Sequence, residues 1–309
     1  MVNSIARRYI VPEITDNVYN SNPLFFRLNT ANKKVVRGGT QIEAPLMYQR
    51  FAAGGPYSGL QLLDISPSDT VRNGAWDWKQ YYVPVTVDGL TLIKTDSPES
   101  IADFIRLYFA QAEMEMAELL GTGLYTDGVT NPQHIDGIKG VVDDGTVLTT
   151  YGGLARSTFT WWKSPIDTST TQLSLTALQN QFGLASKGGR HPTIIFSSQS
   201  NYNRFWNIQV NKQNFYVQPV AMDEQLANAG FTNLLFNSVP WVVDSHITSE
   251  IYMLNEDYLS LCVSPRGDFY MQDFQTAINQ DAMVAKLFWA GNLYCTNCAA
   301  QTKFTAVTS

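Results

Sequence analysis

The strongest constraint on this chain's fold is residues 51–75, FAAGGPYSGLQLLDISPSDTVRNGA, a turn-rich span set between two runs of strand character. Before it, residues 35–50 (VVRGGTQIEAPLMYQR) alternate partially and carry β-branched residues. After it, residues 76–87 (WDWKQYYVPVTV) alternate more cleanly. Trp76, Trp78, Tyr82, Pro84 and Thr86 fall on one face, and Lys79, Tyr81, Val83, Val85 and Val87 on the other. The pair predicts a long hairpin with an elaborate tip, and Pro84 predicts an edge position for its second strand. Such a hairpin has little core of its own and is expected to find its burial in another molecule.

A long helix follows. Ser97 suits the N-cap, Pro98 the first turn, and Glu99 and Asp103 the positive end of the dipole. Ile101, Ile105, Phe109, Ala112, Met116 and Leu120 repeat at spacings of three and four. Gly121 and Gly123 are expected to stop the helix, giving a span of 98–120, ~35 Å long at ~1.5 Å per residue. Glu113, Glu115 and Glu118 lie along it, and a solvated outer face accounts for them. Residues 121–165 turn irregular, with a strand expected around Ser157–Trp162. Beyond them the pattern is α/β. Helices are expected near Thr176–Ala185 and from Ser198 or Gln199 towards Val210. Strands are expected at Thr193–Ser197, Trp241–Asp244, Ile251–Leu254 and Leu259–Val263, and β-rich chain from Ala282 to Val307. No internal repeat or low-complexity tract occurs.

The first 37 residues hold six basic side chains against two acidic ones, a charge of +4, which leaves −10 for the remainder. This basic, Asn-rich leader lacks a clean period and reads as an extended arm. Its apolar residues, among them Tyr9, Ile10, Ile14, Phe25 and Phe26, would each cost ~1.5–3 kcal/mol to leave in water. An arm that docks on an acidic surface, such as a neighbouring copy, is therefore expected. Arg7, Arg8, Lys33 and Lys34 would guide it.

Hydrophobic residues make up 44% of the chain, which excludes disorder, whereas charged residues make up 16%, against roughly 25% in soluble proteins generally. So little charge suits a protein that hides much of its surface against partners. The net charge of −6 disfavours a surface that grips nucleic acid all over. Three cysteines do not make a disulfide framework, and a reducing compartment is expected. No signal peptide and no membrane-spanning run is read in the sequence.

The search for chemistry is negative. His134, His191 and His246 are far apart, and H-E-x-x-H, G-x-S-x-G and the P-loop pattern are absent. Gly121, Gly123 and Gly128 miss the dinucleotide spacing. Asp244, Ser245 and His246 carry the letters of a triad, but a triad is assembled from separate elements. Cys295 and Cys298 lack the second pair that a zinc ribbon needs, with only Cys262 remaining, and are expected to be structural thiols. No catalytic, cofactor-binding or metal-binding residue is assigned, and no enzyme activity is expected.

The order of basic arm, long hairpin, long helix, α/β region and closing strands resembles the tailed-bacteriophage major capsid proteins of the Hong Kong 97-type fold, over essentially the whole chain. The stretches GTGLYTDG, IDGIKGVV, YGGLARSTFTWWKS, GFTNLLFNSVPWVVDSHI, IYMLNEDYLSL and INQDAMVAKLFWAGNLYCTN carry the same likeness. The resemblance implies an α+β subunit. Its N-terminal arm would span 1–35 and its extended loop 36–95. A peripheral domain at 96–165 would hold the spine helix, an axial domain would span 166–255, and peripheral strands 256–309. It also implies hexamers and pentamers closing around double-stranded DNA that is not read by sequence. The implied partners are a separate scaffolding protein, a portal protein and a possible decoration protein, with no membrane. The implied location is the virion capsid, assembled in the host bacterial cytoplasm. Candidate inter-subunit contacts are Arg7, Arg8, Phe25, Phe26, Lys33, Lys34, Trp76, Trp78 and Lys79. Lys79 is the sole lysine between Val35 and Val87, but no cross-link partner can be read for it. Two alternatives are an encapsulin-like compartment shell and an α/β hydrolase, which would need one of the three histidines as base.

Overall fold

Asn22 opens the first helix: its side-chain oxygen accepts the Phe25 amide at 3.2 Å, and Pro23 sits in the first turn, where no amide partner is missed. The computed structural model describes residues 22–90, 98–128, 130–169, 172–210, 234–277 and 280–305. In order these form α1 (Pro23–Ala31), β1 (Lys33–Val35), β2 (Gln41–Met47), β3 (Val71–Asp77), β4 (Lys79–Asp88) and the long α2 (Pro98–Leu124). A looped stretch holds α3 (Ile138–Val141), β5 (Thr150–Tyr151) and β6 (Leu154–Ala155). Then come β7 (Ile166–Asp167), α4 (Leu175–Ala185), β8 (Ile194–Ser197), α5 (Gln199–Val210), β9 (Leu234–Phe236), β10 (Val239–Val243) and β11 (Ile251–Leu254). The series ends with β12 (Leu259–Val263), β13 (Tyr270–Thr276), β14 (Ala282–Cys295) and β15 (Thr302–Phe304).

The first sheet is organised by β14. One side of it pairs with β4 from Ala282 to Gly291; the other pairs with β13 and then with β12. On the far side of β12, β1 adds in parallel. The long helix packs against β4 and β14, with Ala112, Met116, Leu120 and Leu124 buried. The second sheet runs β7-β15-β11-β8-β10-β9. Along β8, Ile194 and Phe196 enter the large core shared with the first sheet, while Ile195 faces a smaller core holding Leu178, Phe182, Phe205 and Trp241. Cover on both faces explains why β8 and β11 read as unbroken apolar runs.

Several expectations need correction. The hairpin is β2 with β3, in register from Gln41↔Asp77 to Met47↔Val71. Residues 79–88 leave it and form β4 of the first sheet. The expected alternation holds there, with Tyr81, Val83, Val85 and Val87 buried, and β4 has no second partner strand among the described residues, the setting in which Pro84 is tolerated. The long helix passes through both glycines to Leu124. A Cβ on Gly121 would lie 2.0 Å from Asn22 Nδ2, and one on Gly123 would lie 2.5 Å from the Tyr81 hydroxyl. These glycines serve close packing rather than termination.

The strand expected at Ser157–Trp162 is instead a turn followed by a 3-10 turn, because Thr158 and Phe159 donate back to Ala155 and the Trp162 indole turns inward to donate to Tyr151 O at 3.0 Å. Residues 22–35 are not an extended arm: α1 and β1 are packed on their own subunit, with Leu24, Phe25 and Leu28 buried. β15, expected among the peripheral strands, belongs to the second sheet. β9 and β13 lie where the sequence predicts no strand.

Candidate functional site

The hairpin has two different halves. Near its base, Ile42, Ala44, Leu46 and Trp76 are buried against the body. The Trp76 ring contacts Tyr151 and Tyr294 with centroids 5.8 and 5.2 Å away, and Ala75 N–H donates to Gly152 O at 3.0 Å. Tyr48 stacks on Trp161 at 5.7 Å, with the Arg72 guanidinium 5.9 Å from the centroid of the Tyr48 ring. Gly74 and Gly152 permit this seat, since a Cβ on either would fall within 3 Å of the Trp76 ring.

The outer half, residues 49–70, meets no such partner among the described residues. Leu60 is 104% exposed, Leu62 97% and Ile65 90%, with Phe51, Tyr57 and Leu63 also exposed. Its described side-chain contacts are local and polar. Ser66 donates its amide and hydroxyl to Asp64, and these bonds hold that carboxyl below its ordinary value. Ser68 accepts the Ala52 amide at 3.2 Å. Six large apolar side chains on one solvated loop form the kind of surface that marks a protein contact site.

The candidate contact residues divide accordingly. Trp76 and Phe25 are corrections: both lie inside their own subunit, Phe25 packed 6.3 Å from Phe269. Phe26 is exposed beside it. Trp78 is half-buried and donates its indole N–H to Gly39 O at 3.1 Å. Lys79 donates to Pro132 O at 2.5 Å. Lys33 pairs with Asp268 at 2.6 Å, and Lys34 donates to the Tyr294 hydroxyl at 2.9 Å, so both are engaged within the chain. Arg7 and Arg8, with Tyr9, Ile10 and Ile14, lie outside the described residues.

Sequence reading missed three polar hubs. Arg27 grips Glu256 through two bonds of 2.7 and 2.8 Å, tying α1 to the turn before β12. Arg156 is fully buried and donates to the carbonyls of Gly140, Val141 and Leu148, with Asp143 3.4 Å away. Asp143 in turn accepts the amides of Gly145, Val147 and Leu148. The irregular stretch 137–156 is thus ordered from inside. Third, His246 lies between Asp244 and Glu118. The sequence offers no periodic signal for such pairs, whose members in the first hub are 229 residues apart.

The places where chemistry could reside are separate. His134 is paired with Tyr81 at 3.0 Å and His191 with Ser186 at 2.7 Å. Cys262, Cys295 and Cys298 are buried free thiols, and burial pushes Cys262 and Cys295 up from the ordinary thiol value. Among the described residues no three His, Cys, Asp or Glu side chains are placed to hold a metal ion, and no helix is long and apolar enough to cross a membrane. A cleft of about 190 Å³ is lined by Asp127, Asp136, Gly140, Thr150 and Tyr151. Burial raises the Asp136 carboxyl, which accepts from Asn292 at 2.9 Å.

No protein-family model and no curated protein sequence matches the chain. Solved structures do. The capsid asymmetric unit of cyanophage A-1(L) is similar over 97% of this chain and 96% of that one, at TM-score 0.70 and 17% identity. The chain of the holo-SrpI encapsulin complex from Synechococcus elongatus PCC 7942 is similar over 99% and 96%, at TM-score 0.65 and 10% identity. A chain of Mycobacterium phage Bobi is similar over 98% and 96%, at TM-score 0.62 and 10% identity. The chain therefore has the α+β fold of tailed-phage capsid proteins, along its whole described length.

Proposed function

We propose that this chain is the major shell protein of a tailed-phage head, assembling as hexamers and pentamers into an icosahedral shell around double-stranded DNA. The observation that carries this reading is the hairpin. Its base is wedged into the subunit around Trp76, while its tip offers Leu60, Leu62 and Ile65 to solvent. A neighbouring copy is the partner that would cover that tip. In this reading residues 36–77 with their hairpin are the extended loop and α2 is the spine. The second sheet, now including β15, supplies the axial region. The negative body would keep packaged DNA from adhering to the wall. Scaffolding, portal and decoration proteins would be separate partners, and the finished shell would be a virion component assembled in the host cytoplasm. No catalytic role is assigned.

A second reading, an encapsulin-like compartment, is favoured by the similarity to the SrpI chain. Electron microscopy of the purified, assembled protein, with analysis of its contents, separates the two. Closed icosahedral particles that take up DNA during infection support the phage head. Particles loaded with one enzyme and free of DNA support the compartment. A protein that stays monomeric at high concentration, with and without crude phage lysate, refutes both.

A further inference from the structure

His246 occupies the turn after β10, and both of its ring nitrogens face carboxylates. Nδ1 lies 2.8 Å from Asp244 Oδ1, and Nε2 lies 3.1 Å from Glu118 Oε1. The two acids come from different parts of the fold: Asp244 directly follows the second sheet's β10, and Glu118 stands on α2. A carboxylate oxygen only accepts, whereas a neutral imidazole has one N–H to donate. A ring bearing one proton would therefore set a lone pair against one of these oxygens. Two protons satisfy both contacts.

The surroundings hold the ring in that position. Its side chain is 7% exposed. Its own amide donates to Asp244 Oδ1 at 3.0 Å, while Tyr125 donates its hydroxyl to Asp244 Oδ2 at 2.9 Å. The Tyr125 ring stacks on the imidazole at 6.2 Å with a 10° tilt, and Tyr252 of β11 packs behind Tyr125. From the other side, Gly121 of α2 leaves room: a Cβ there would lie 3.1 Å from His246 Cε1 and would collide with neutral Asn22. The charged groups acting on the ring are Asp244 and Glu118, both negative. Oε2 of Glu118 is buried and has no hydrogen-bond partner among the described residues, where this acid is held through Oε1 by His246.

We propose that His246 is a proton-dependent latch joining α2 to the second sheet, closed as the imidazolium and opened by loss of the proton facing Glu118. The hydrogen bond and the charges of Asp244 and Glu118 raise the imidazole above its ordinary value of 6.5. Because the folded value is the higher one, the latch is fully closed below pH 6.5. Its contribution is lost as pH rises through the folded value. Opening frees the C-terminal turns of α2 to move against the turn after β10, which would give a shell of such subunits a pH-set hinge. The latch is a property of the single subunit and does not depend on the shell reading.

The test uses the full chain, in whichever state it purifies, as wild type, His246→Gln and Glu118→Gln. Hydrogen exchange of peptides spanning 110–125 is measured at pH 6 and pH 9 and corrected for intrinsic rates. In the wild type, protection should fall severalfold at the higher pH. Both variants should exchange at one corrected rate at the two values. The melting-temperature gap between wild type and Glu118→Gln should be largest at pH 6 and should close by pH 9. Wild-type protection equal at both pH values, or a gap that stays constant, overturns the latch. Glu118→Gln keeps size and shape, so it decides the matter if His246→Gln does not fold.

Discussion

The indole of Trp76 lies against the backbone of Gly152, where an added Cβ would sit 2.8 Å from the ring, and Gly152 has φ of +58°. The hairpin is therefore attached to the body at a point where one residue tolerates neither a side chain nor an ordinary backbone conformation. Gly152→Ala should combine left-handed strain with a steric clash and cost about 1–3 kcal/mol. Trp76→Ala should cost about 3–5 kcal/mol by emptying the seat. Urea unfolding of the unassembled subunit measures both. A Gly152→Ala midpoint equal to wild type would show that the seat is looser than described.

The tip should behave in the opposite way. Replacing residues 52–68 with a short Gly-Ser linker, or changing Leu60, Leu62 and Ile65 together to Ser, removes no described core contact. The subunit melting temperature should change little while closed shells fail to form. Normal particles from either variant, seen by electron microscopy, would show that the exposed apolar tip is not the assembly element.

Neighbouring phenylalanines separate folding from assembly. Phe25→Ser should destabilise the subunit by a few kcal/mol, as for other buried aromatic losses. Phe26, 54% exposed, should leave stability nearly unchanged when replaced by Ser and act only on particle yield. Thermal melts paired with sedimentation of assembled material distinguish the two outcomes.

Asp143→Asn should strand the buried Arg156 charge and cost about 3–5 kcal/mol, with local loss of order across 137–156. Proteolysis of that stretch reads it directly. A variant as resistant as wild type would mean that the carbonyls of Gly140, Val141 and Leu148 suffice to hold the guanidinium.

Lys303 supplies a pH test with the opposite sign to His246. Burial lowers its ammonium from 10.5 to about 8, so the folded state holds that proton less tightly than the unfolded one. The resulting penalty is fully present below about pH 8, shrinks as pH rises, and is gone above 10.5. Lys303→Met should therefore raise the melting temperature at pH 7, despite losing the bond to Lys139 O, and the advantage should fade by pH 10.5. A constant difference across that range would exclude ionisation as its cause.

Much of the frame is legible from periodicity. Ile251–Leu254 and Leu259–Val263 are bounded by polar turns, and their strands match the expected limits. The alternation of Tyr81, Val83, Val85 and Val87 gives the buried face of β4, but not its partner, which lies 200 residues away in β14. Alternation reports one face and is silent on pairing, so β3 and β4 merge in a sequence reading although Trp78 separates them. The end of α2 is hidden for another reason. Glycine ordinarily ends helices, and only the approach of Asn22 and Tyr81 explains why Gly121 and Gly123 continue one. The long turn-rich span between strand-like runs makes a hairpin legible in the sequence, and the structure has one in β2 and β3. That Trp76 anchors it to its own subunit is not legible there, because the seat is built by Gly152, Tyr151 and Tyr294 from distant segments.

The position of β14 in the chain bears on synthesis. Both β4 and β12 rest on it, so the first sheet has no centre until residues 282–295 have left the ribosome. By then the apolar tip at 49–70 has long been translated. Until then the nascent chain carries that loop without the complete seat for Trp76, because Tyr294 belongs to β14. In the shell reading, association between chains that have not yet made β14 would be unproductive, because the seat that presents the loop is not yet built.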